Sequence, residues 1–285
     1  MRNECQVSLC CKLARKAQTT ESTSGSLDDQ LGAGNGKKRH AGLKSTTEGI
    51  GRHMQNRSRV NELMDDPALD PTLHATALKA LGRINRISRT FQRVTAAIQA
   101  STRGTGPGPL KILDIASGGG DLALGLSQFA KRNRLQWEVS GADISPYAVE
   151  HSSLKAQAAG LDTRFFPLDA VNQHPPEAYD VVMCSLFLHH LSEEDAGKLL
   201  KNMAASARRL VLIDDLLRSH AGYWLAWLGC RLLTRSYIVH HDGPASVKSA
   251  FQLDEVAQLA NQCGLMNHKI VRHWPERFMM TWSPQ

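Results

Sequence analysis

"LKILDIASGGGDLALGL", Leu110–Leu126, passes from an apolar strand through three glycines into an apolar helix. That is the shape of a nucleotide-binding turn, because glycines let a backbone approach a ligand without an intervening Cβ. The same stretch carries Asp114 and Asp121, and no Lys or Arg lies between Lys111 and Lys131. Charge therefore decides which ligand the turn suits.

Outward from this stretch the chain alternates. Strand-like apolar runs stand at 110–116, 137–142, 164–168, 179–185 and 210–214, with helical patterns at about 121–132, 146–159 and 193–207. Repeated β-α units of this length imply a parallel sheet covered by helices on both faces. After Asp214 come an apolar helix, "GYWLAWLGCRLL", an amphipathic one ending at Gly264, and two closing strands, "NHKIVRHW" and "ERFMMTW". Upstream, Asp70-Pro71 reads as a helix cap with proline at the first helical position. Apolar residues from Leu78 to Ile98 then recur every three or four positions, which predicts one long amphipathic helix kinked at Gly82. Arg83, Arg86, Arg89 and Arg93 lie off that stripe and read as a solvated face, with anion contact as the alternative.

The chain has 285 residues, 42% hydrophobic, and a formal charge of +7. Residues 1–60 hold eleven Lys/Arg against five Asp/Glu; the other 225 hold 23 against 22. A nucleic-acid enzyme is expected to carry its basic excess on the folded body. Here that body is nearly neutral, which argues against such a partner. Residues 1–58 are rich in Gly, Ser, Thr and Lys without periodicity, a disordered basic tail by composition. Residues 59–105 form a helical cap and linker, and 106–285 the main domain. The six cysteines form no CxxC pair, so no metal site is expected and a reducing, cytoplasmic setting fits. No run approaches the ~20 apolar residues that span a bilayer, and the N-terminus lacks the apolar core of a signal peptide.

Gly118, Gly120 and Ala123 match a dinucleotide fingerprint, which makes a nicotinamide-dependent oxidoreductase the rival reading. Two carboxylates beside a pyrophosphate would cost about 4 kcal/mol per close pair at an effective dielectric near 20. S-adenosylmethionine suits the turn better: it has adenosine, a sulfonium and an ammonium, and no phosphate. Asp143 ends the second strand, where a carboxylate can accept both ribose hydroxyls. Asp169 ends the third, placed to accept from the adenine amino group.

These residues resemble class I S-adenosylmethionine-dependent methyltransferases. "ILDIASGGGD" is similar to the first motif of the ubiquinone/menaquinone C-methyltransferase group, with Ala116 where many families have a glycine. "GADIS" resembles the acidic motif that follows, Leu168–Ala170 the adenine-contacting one, and "YDVVMCSLFLHHL" the fourth-strand motif of small-molecule members. The resemblance covers about 110–282. It implies a Rossmann-like sheet of seven strands, the last antiparallel. It also implies cofactor contacts at Asp114, Ala116, Ser117, Gly118, Gly119, Gly120, Asp143, Ile144, Asp169, Ala170, Ser185 and Leu186. A non-catalytic binder of the same cofactor remains open beside an enzyme.

Absent motifs narrow the acceptor. "CSLF" replaces the Asn/Asp-Pro-Pro-Tyr of nucleic-acid amino-methyltransferases, and no glutamate pair of the protein-arginine type follows. Phe187, Tyr223, Trp224, Trp227, Tyr237 and Trp274 could line a pocket for a lipophilic or aromatic acceptor, though such residues are also ordinary core. The helix 222–233, with Arg231 its only charge, can pack inside, cover the site or touch membrane lipid. The acceptor expected is a phenol, quinol or polyketide-like ring methylated at O or C. A phenol or enol acceptor needs a base, for which His189, His190, His240 and His241 are the candidates, His189 and His241 favoured, with Asp242 beside the last pair. Oligomeric state is not legible.

Overall fold

The computed structural model describes residues 54–65, 69–102 and 108–284. Most of the expected tail, and the glycine-rich linker at 103–107, lie outside the described residues.

Seven strands form one sheet in the order β3-β2-β1-β4-β5-β7-β6. They are β1 (Leu110–Ile115), β2 (Trp137–Asp143), β3 (Arg164–Pro167), β4 (Tyr179–Ser185), β5 (Ala207–Leu216), β6 (Lys269–His273) and β7 (Arg277–Trp282). β1 to β5 pair in parallel, and β7 runs antiparallel to both its neighbours. The seven-stranded Rossmann-like expectation holds, antiparallel last strand included.

The strands read as unbroken apolar runs because both faces are covered. Along β4 and β5, Val182, Cys184, Val211 and Ile213 join one core cluster; Val181, Met183, Leu210 and Leu212 join the other. The first cluster packs under α5 (Glu193–Ser206) and α8 (Leu253–Gln262) through Leu199, Leu200, Met203, Val256 and Leu259. The second packs under α2 (Thr90–Ser101), α3 (Asp121–Asn133) and α4 (Pro146–Ala158) through Val94, Ile98, Leu126 and Ala156.

The expected long helix is two. α1 (Pro71–Ile87) begins as predicted, with the Asp70 carboxylate accepting from the N–H groups of Thr72 and Leu73 at 2.9 and 3.1 Å. It runs through Gly82 and stops at Ser88; Arg89 then takes a left-handed φ of 57° and α2 begins. The physical reason is a buried partner. The Arg277 guanidinium hydrogen-bonds the Ser88 and Thr90 hydroxyls on either side of the break. α2 can then lie on the sheet, while Ala77 and Ala80 of α1 join a separate small core. That core also holds Cys230 of α6 (His220–Leu233) and Ile238 and Val239 of α7 (Tyr237–Ser249). Arg83, Arg89 and Arg93 are exposed, the solvated face of the two readings.

Candidate active site

The carboxyl ends of β1 to β4 share one edge of the sheet because these strands are parallel. Chain order reverses between β1 and β4, so the loops after them diverge and open a crevice there.

The turn after β1 sits on that edge. Ala116, Gly118 and Gly120 have φ of 54°, 51° and 72°. At Gly120 an added Cβ would stand 2.8 Å from the Phe165 ring and 2.9 Å from Ser152, so only glycine fits. At Gly118 an added Cβ would meet nothing within 4 Å, so the space above the turn is open. Neighbouring elements tie the turn down. Ser117 N–H donates to Ala142 O at 3.0 Å, the Ser152 hydroxyl to Gly118 O at 2.9 Å, and Lys155 Nζ to Gly119 O at 2.6 Å. The Ser117 hydroxyl is buried with no hydrogen-bond partner among the described residues.

Asp143, half-buried at the end of β2, accepts from Gly118 N–H at 2.8 Å and from Ser145 N–H at 2.9 Å, one with each oxygen. Burial raises its pKa, against these N–H groups. Each oxygen keeps a lone pair for a further donor. The Asp169 carboxylate closes the loop after β3 by accepting from Val171 and Asn172 N–H and from the Asn172 side chain at 2.8 Å. Ile144, Ser185 and Leu186 are half-buried on the same edge, and Ala170 is buried beneath it. All twelve residues expected at the cofactor thus lie on β1, at the strand ends or in the loops that follow.

The charges at the turn differ from the sequence expectation. Asp114 and Asp121 do not flank a ligand as two bare anions. Asp114 is 2% exposed, and burial, with the Asp143 carboxylate nearby, pushes its pKa up to about 8 against one backbone N–H. It is neutral at pH 7. Asp121 points outward and is ion-paired with Lys155. The linear stretch lacked a cation, but α4 folds one onto it.

On the other side of β4, the turn Leu188–His190 is organised by Asp215 of β5. One oxygen accepts from the N–H groups of Phe187 and His189 at 3.1 and 3.2 Å; the other lies 2.6 Å from His189 Nδ1. Burial lowers the imidazole pKa, and Asp215 more than reverses this, so His189 ends above its ordinary value. Burial and then His189 push partly buried His190 down to about 3. Glu62 arrives from the N-terminal segment, 3.8 Å from His189 Nε2, and accepts from the Ser246 hydroxyl. Glu62, His189 and His190 offer ligand atoms within 4.8 Å of one another, a grouping that sequence spacing hides. His189 stands between two carboxylates, Asp215 on Nδ1 and Glu62 near Nε2.

The Arg57 guanidinium straps the same segment down. It donates to Ser249 O, His189 O and Leu191 O at 2.6 to 3.0 Å and lies 3.6 Å over the Phe251 ring. His241 is not part of this cluster. Its side chain is 45% exposed on α7 and meets Asp242 at 2.9 Å. Asp242 is engaged in turn by the N–H groups of Leu63 and Met64. The expected aromatic pocket does not form: Trp224, Tyr237 and Trp274 are about half exposed and Trp227 is 36% exposed, whereas Phe187 packs on the core. Lys155, Asp215, Glu62 and Arg57 went unnoticed in the sequence. Only Asp215, an acid at a strand end in "LIDDL", carried a signal that could have found it.

A family profile described as a methyltransferase domain matches residues 112–209. Over 107 residues the chain is 36% identical to a demethylmenaquinone methyltransferase of Thermus thermophilus, covering 36% of this chain and 47% of that protein. Over 163 residues it is 28% identical to a ubiquinone biosynthesis O-methyltransferase of Bordetella parapertussis, covering 54% and 61%. The chain thus spans about half of the one relative's length and three fifths of the other's. The crystal structure of the plantazolicin methyltransferase BpumL with SAH superposes with a TM-score of 0.56 at 17% identity, covering 84% of this chain and 98% of that one. That likeness is one of fold.

Proposed function

We propose that this protein is an S-adenosylmethionine-dependent methyltransferase acting at O or C of a small lipophilic or aromatic acceptor, a quinol, phenol or polyketide-like ring. One observation carries the reading: a methyltransferase domain whose glycine turn and Asp143 share one sheet edge, with open space above Gly118. The residues fit the cofactor. Ser117 Oγ has no hydrogen-bond partner among the described residues, and Asp143 has acceptor capacity left for ribose hydroxyls, each such bond contributing roughly 1.5–3 kcal/mol. When bound, the cofactor supplies an electrophilic methyl group on a sulfonium.

The rest falls to the chain. The tied turn and Asp143 fix position, and alignment of the acceptor to about 3 Å from the methyl carbon supplies much of the catalysis. Asp215 fixes the His189 tautomer and raises its basicity, which makes His189, rather than His241, the group that takes the acceptor's proton. Relatives named for methylation of menaquinone and ubiquinone precursors support the acceptor class.

Titration calorimetry with S-adenosylhomocysteine and with NADH tests the cofactor. The first should bind, and Asp143→Ala should weaken it at least tenfold; binding of NADH instead overturns the reading. Labelled-methyl transfer to a quinol and phenol panel tests the reaction, and a silent panel leaves a binding protein without catalysis.

A further inference from the structure

α6 combines a strongly apolar sequence with almost no burial. Of its fourteen residues only Gly222 and Cys230 are buried. Trp224 and Leu228 are each 49% exposed, Leu232 is 74% exposed, and Tyr237 at the start of α7 is 57% exposed. Trp224, Leu228 and Leu232 follow one another at i, i+4 and i+8, so they form a stripe along one side. Cys230 on the other side packs into the small core with α1 and α7. The helix is fastened along one face and bare along the other. A contiguous bare apolar face of this kind marks an interaction surface.

Charge selects the occupant. Between Asp215 and Asp242 the sequence contains no Asp or Glu, whereas Arg231 and Arg235 are exposed beside the stripe. The Arg231 guanidinium lies 4.2 Å over the Trp227 ring and donates to Trp227 O, so cation and aromatic are presented together. A second copy pairing about a two-fold axis would bring these arginines toward their own mates, with no acid on this stretch to offset them. The N-terminal residues 1–53 are themselves basic and would bring like charge to Arg231 and Arg235. An anionic lipid surface satisfies both features: indoles and leucines enter the boundary between headgroups and chains, and arginines stay with the headgroups. Fourteen residues make a helix about 21 Å long, shorter than the ~30 Å hydrocarbon layer. It therefore lies in the plane.

We propose that the exposed face of α6, centred on Trp224, Leu228 and Leu232 and flanked by Arg231 and Arg235, docks this protein on an anionic bilayer surface. The proposal goes beyond the methyl-transfer reading and does not need it. If both hold, a lipophilic acceptor can be taken up at the membrane that contains it.

The test is co-sedimentation of the full chain with phosphatidylcholine vesicles, with and without phosphatidylglycerol. Wild type should bind the mixed vesicles, with a blue shift of tryptophan emission, and release as salt rises. The triple variant Trp224→Ser/Leu228→Ser/Leu232→Ser should lose at least about tenfold in partitioning. Arg231→Gln/Arg235→Gln should lose about tenfold on anionic vesicles and little on neutral ones. Both variants should keep the wild-type circular dichroism, melting temperature and S-adenosylhomocysteine affinity, or affinity for whichever nucleotide the wild type binds. Wild type that ignores anionic vesicles overturns the proposal. So does a triple variant that binds like wild type, since the basic tail would then be the anchor. A wild-type dimer that the triple variant dissociates, with no vesicle binding by either, would assign the face to a second copy instead.

Discussion

Asp215 and His189 are 26 residues apart in the chain and 2.6 Å apart in space, and their contact has a kinetic consequence. The carboxylate raises the imidazole pKa above 6.5. If His189 takes the acceptor's proton, it works only when neutral, so turnover should climb with pH through an inflection above 6.5. Asp215→Asn should move that inflection down and cut turnover, while S-adenosylhomocysteine affinity stays near wild type. A pH profile unmoved by the substitution would remove the pair from the reaction. Ala116 poses a different residue-scale problem. Its φ of 54° costs an L-residue roughly 1–2 kcal/mol, whereas glycine at this position loses more chain entropy, about 0.4–1 kcal/mol. Ala116→Gly should therefore be neutral or stabilising by up to about 1.5 kcal/mol in urea melts, where most Ala→Gly changes destabilise. A clear loss would mean that the Ala116 methyl contributes packing that outweighs its strain.

At the scale of elements, the decisive contact is between α7 and the N-terminal segment. Buried Asp242 accepts from Leu63 and Met64 N–H at 2.7 and 3.0 Å. It thereby fixes the short 3-10 turn Leu63–Asp65 and the approach of Glu62 to His189. Asp242→Ala leaves two backbone donors without an acceptor, a loss of about 2–4 kcal/mol. Hydrogen exchange should rise over residues 54–65 while β1, β4 and β5 stay protected. Uniform loss of protection across the sheet would show that the segment is integral to the fold rather than fastened onto it. The sequence made this element hard to read. Asp242 stands beside His241 and meets its imidazole at 2.9 Å, as adjacency suggested, but its buried carboxylate also holds a segment about 180 residues earlier, which no local signal shows. The α1–α2 break had no signal either: Gly82 was the visible candidate, and the cause is Arg277, near the other end of the chain.

Across the whole molecule, Asp114, His189 and His190 are among the buried groups whose shifts shape the response of stability to pH. His190 is depressed to about 3 from 6.5, so its contribution is present above 6.5 and lost as pH falls toward 3. Asp114 is raised to about 8 from 3.8; the unfolded chain releases that proton first, so stability falls as pH rises from 3.8 to 8. His189, also raised, loses its contribution as pH rises through its folded value. The opposing slopes of His190 and Asp114 overlap between about 4 and 6.5 and should nearly cancel there. Above 6.5 only the falling ones remain. Without added ligand the protein should lose roughly 1–2 kcal/mol between pH 6.5 and 8 through Asp114 alone. Asp114→Asn should flatten that part of the curve in denaturant melts. A wild-type curve that rises over this interval contradicts the burial assigned to Asp114.

The sequence by itself determined the layered architecture and the cofactor edge. Apolar periodicity is local information, and so are a glycine turn and acids placed just after strands. Parallel pairing carries those strand ends to one edge whatever the rest of the chain does. Only the tertiary structure decided the charges and the surroundings of His189. Lys155 pairs with Asp121 from the next helix, burial raises the Asp114 pKa, and Glu62 and Asp215 converge on His189 from either side of it in the chain. The aromatic residues of α6 turned outward for the same reason. Electrostatic energy and burial depend on distance and solvent exclusion in space, and neither quantity is written in the order of residues.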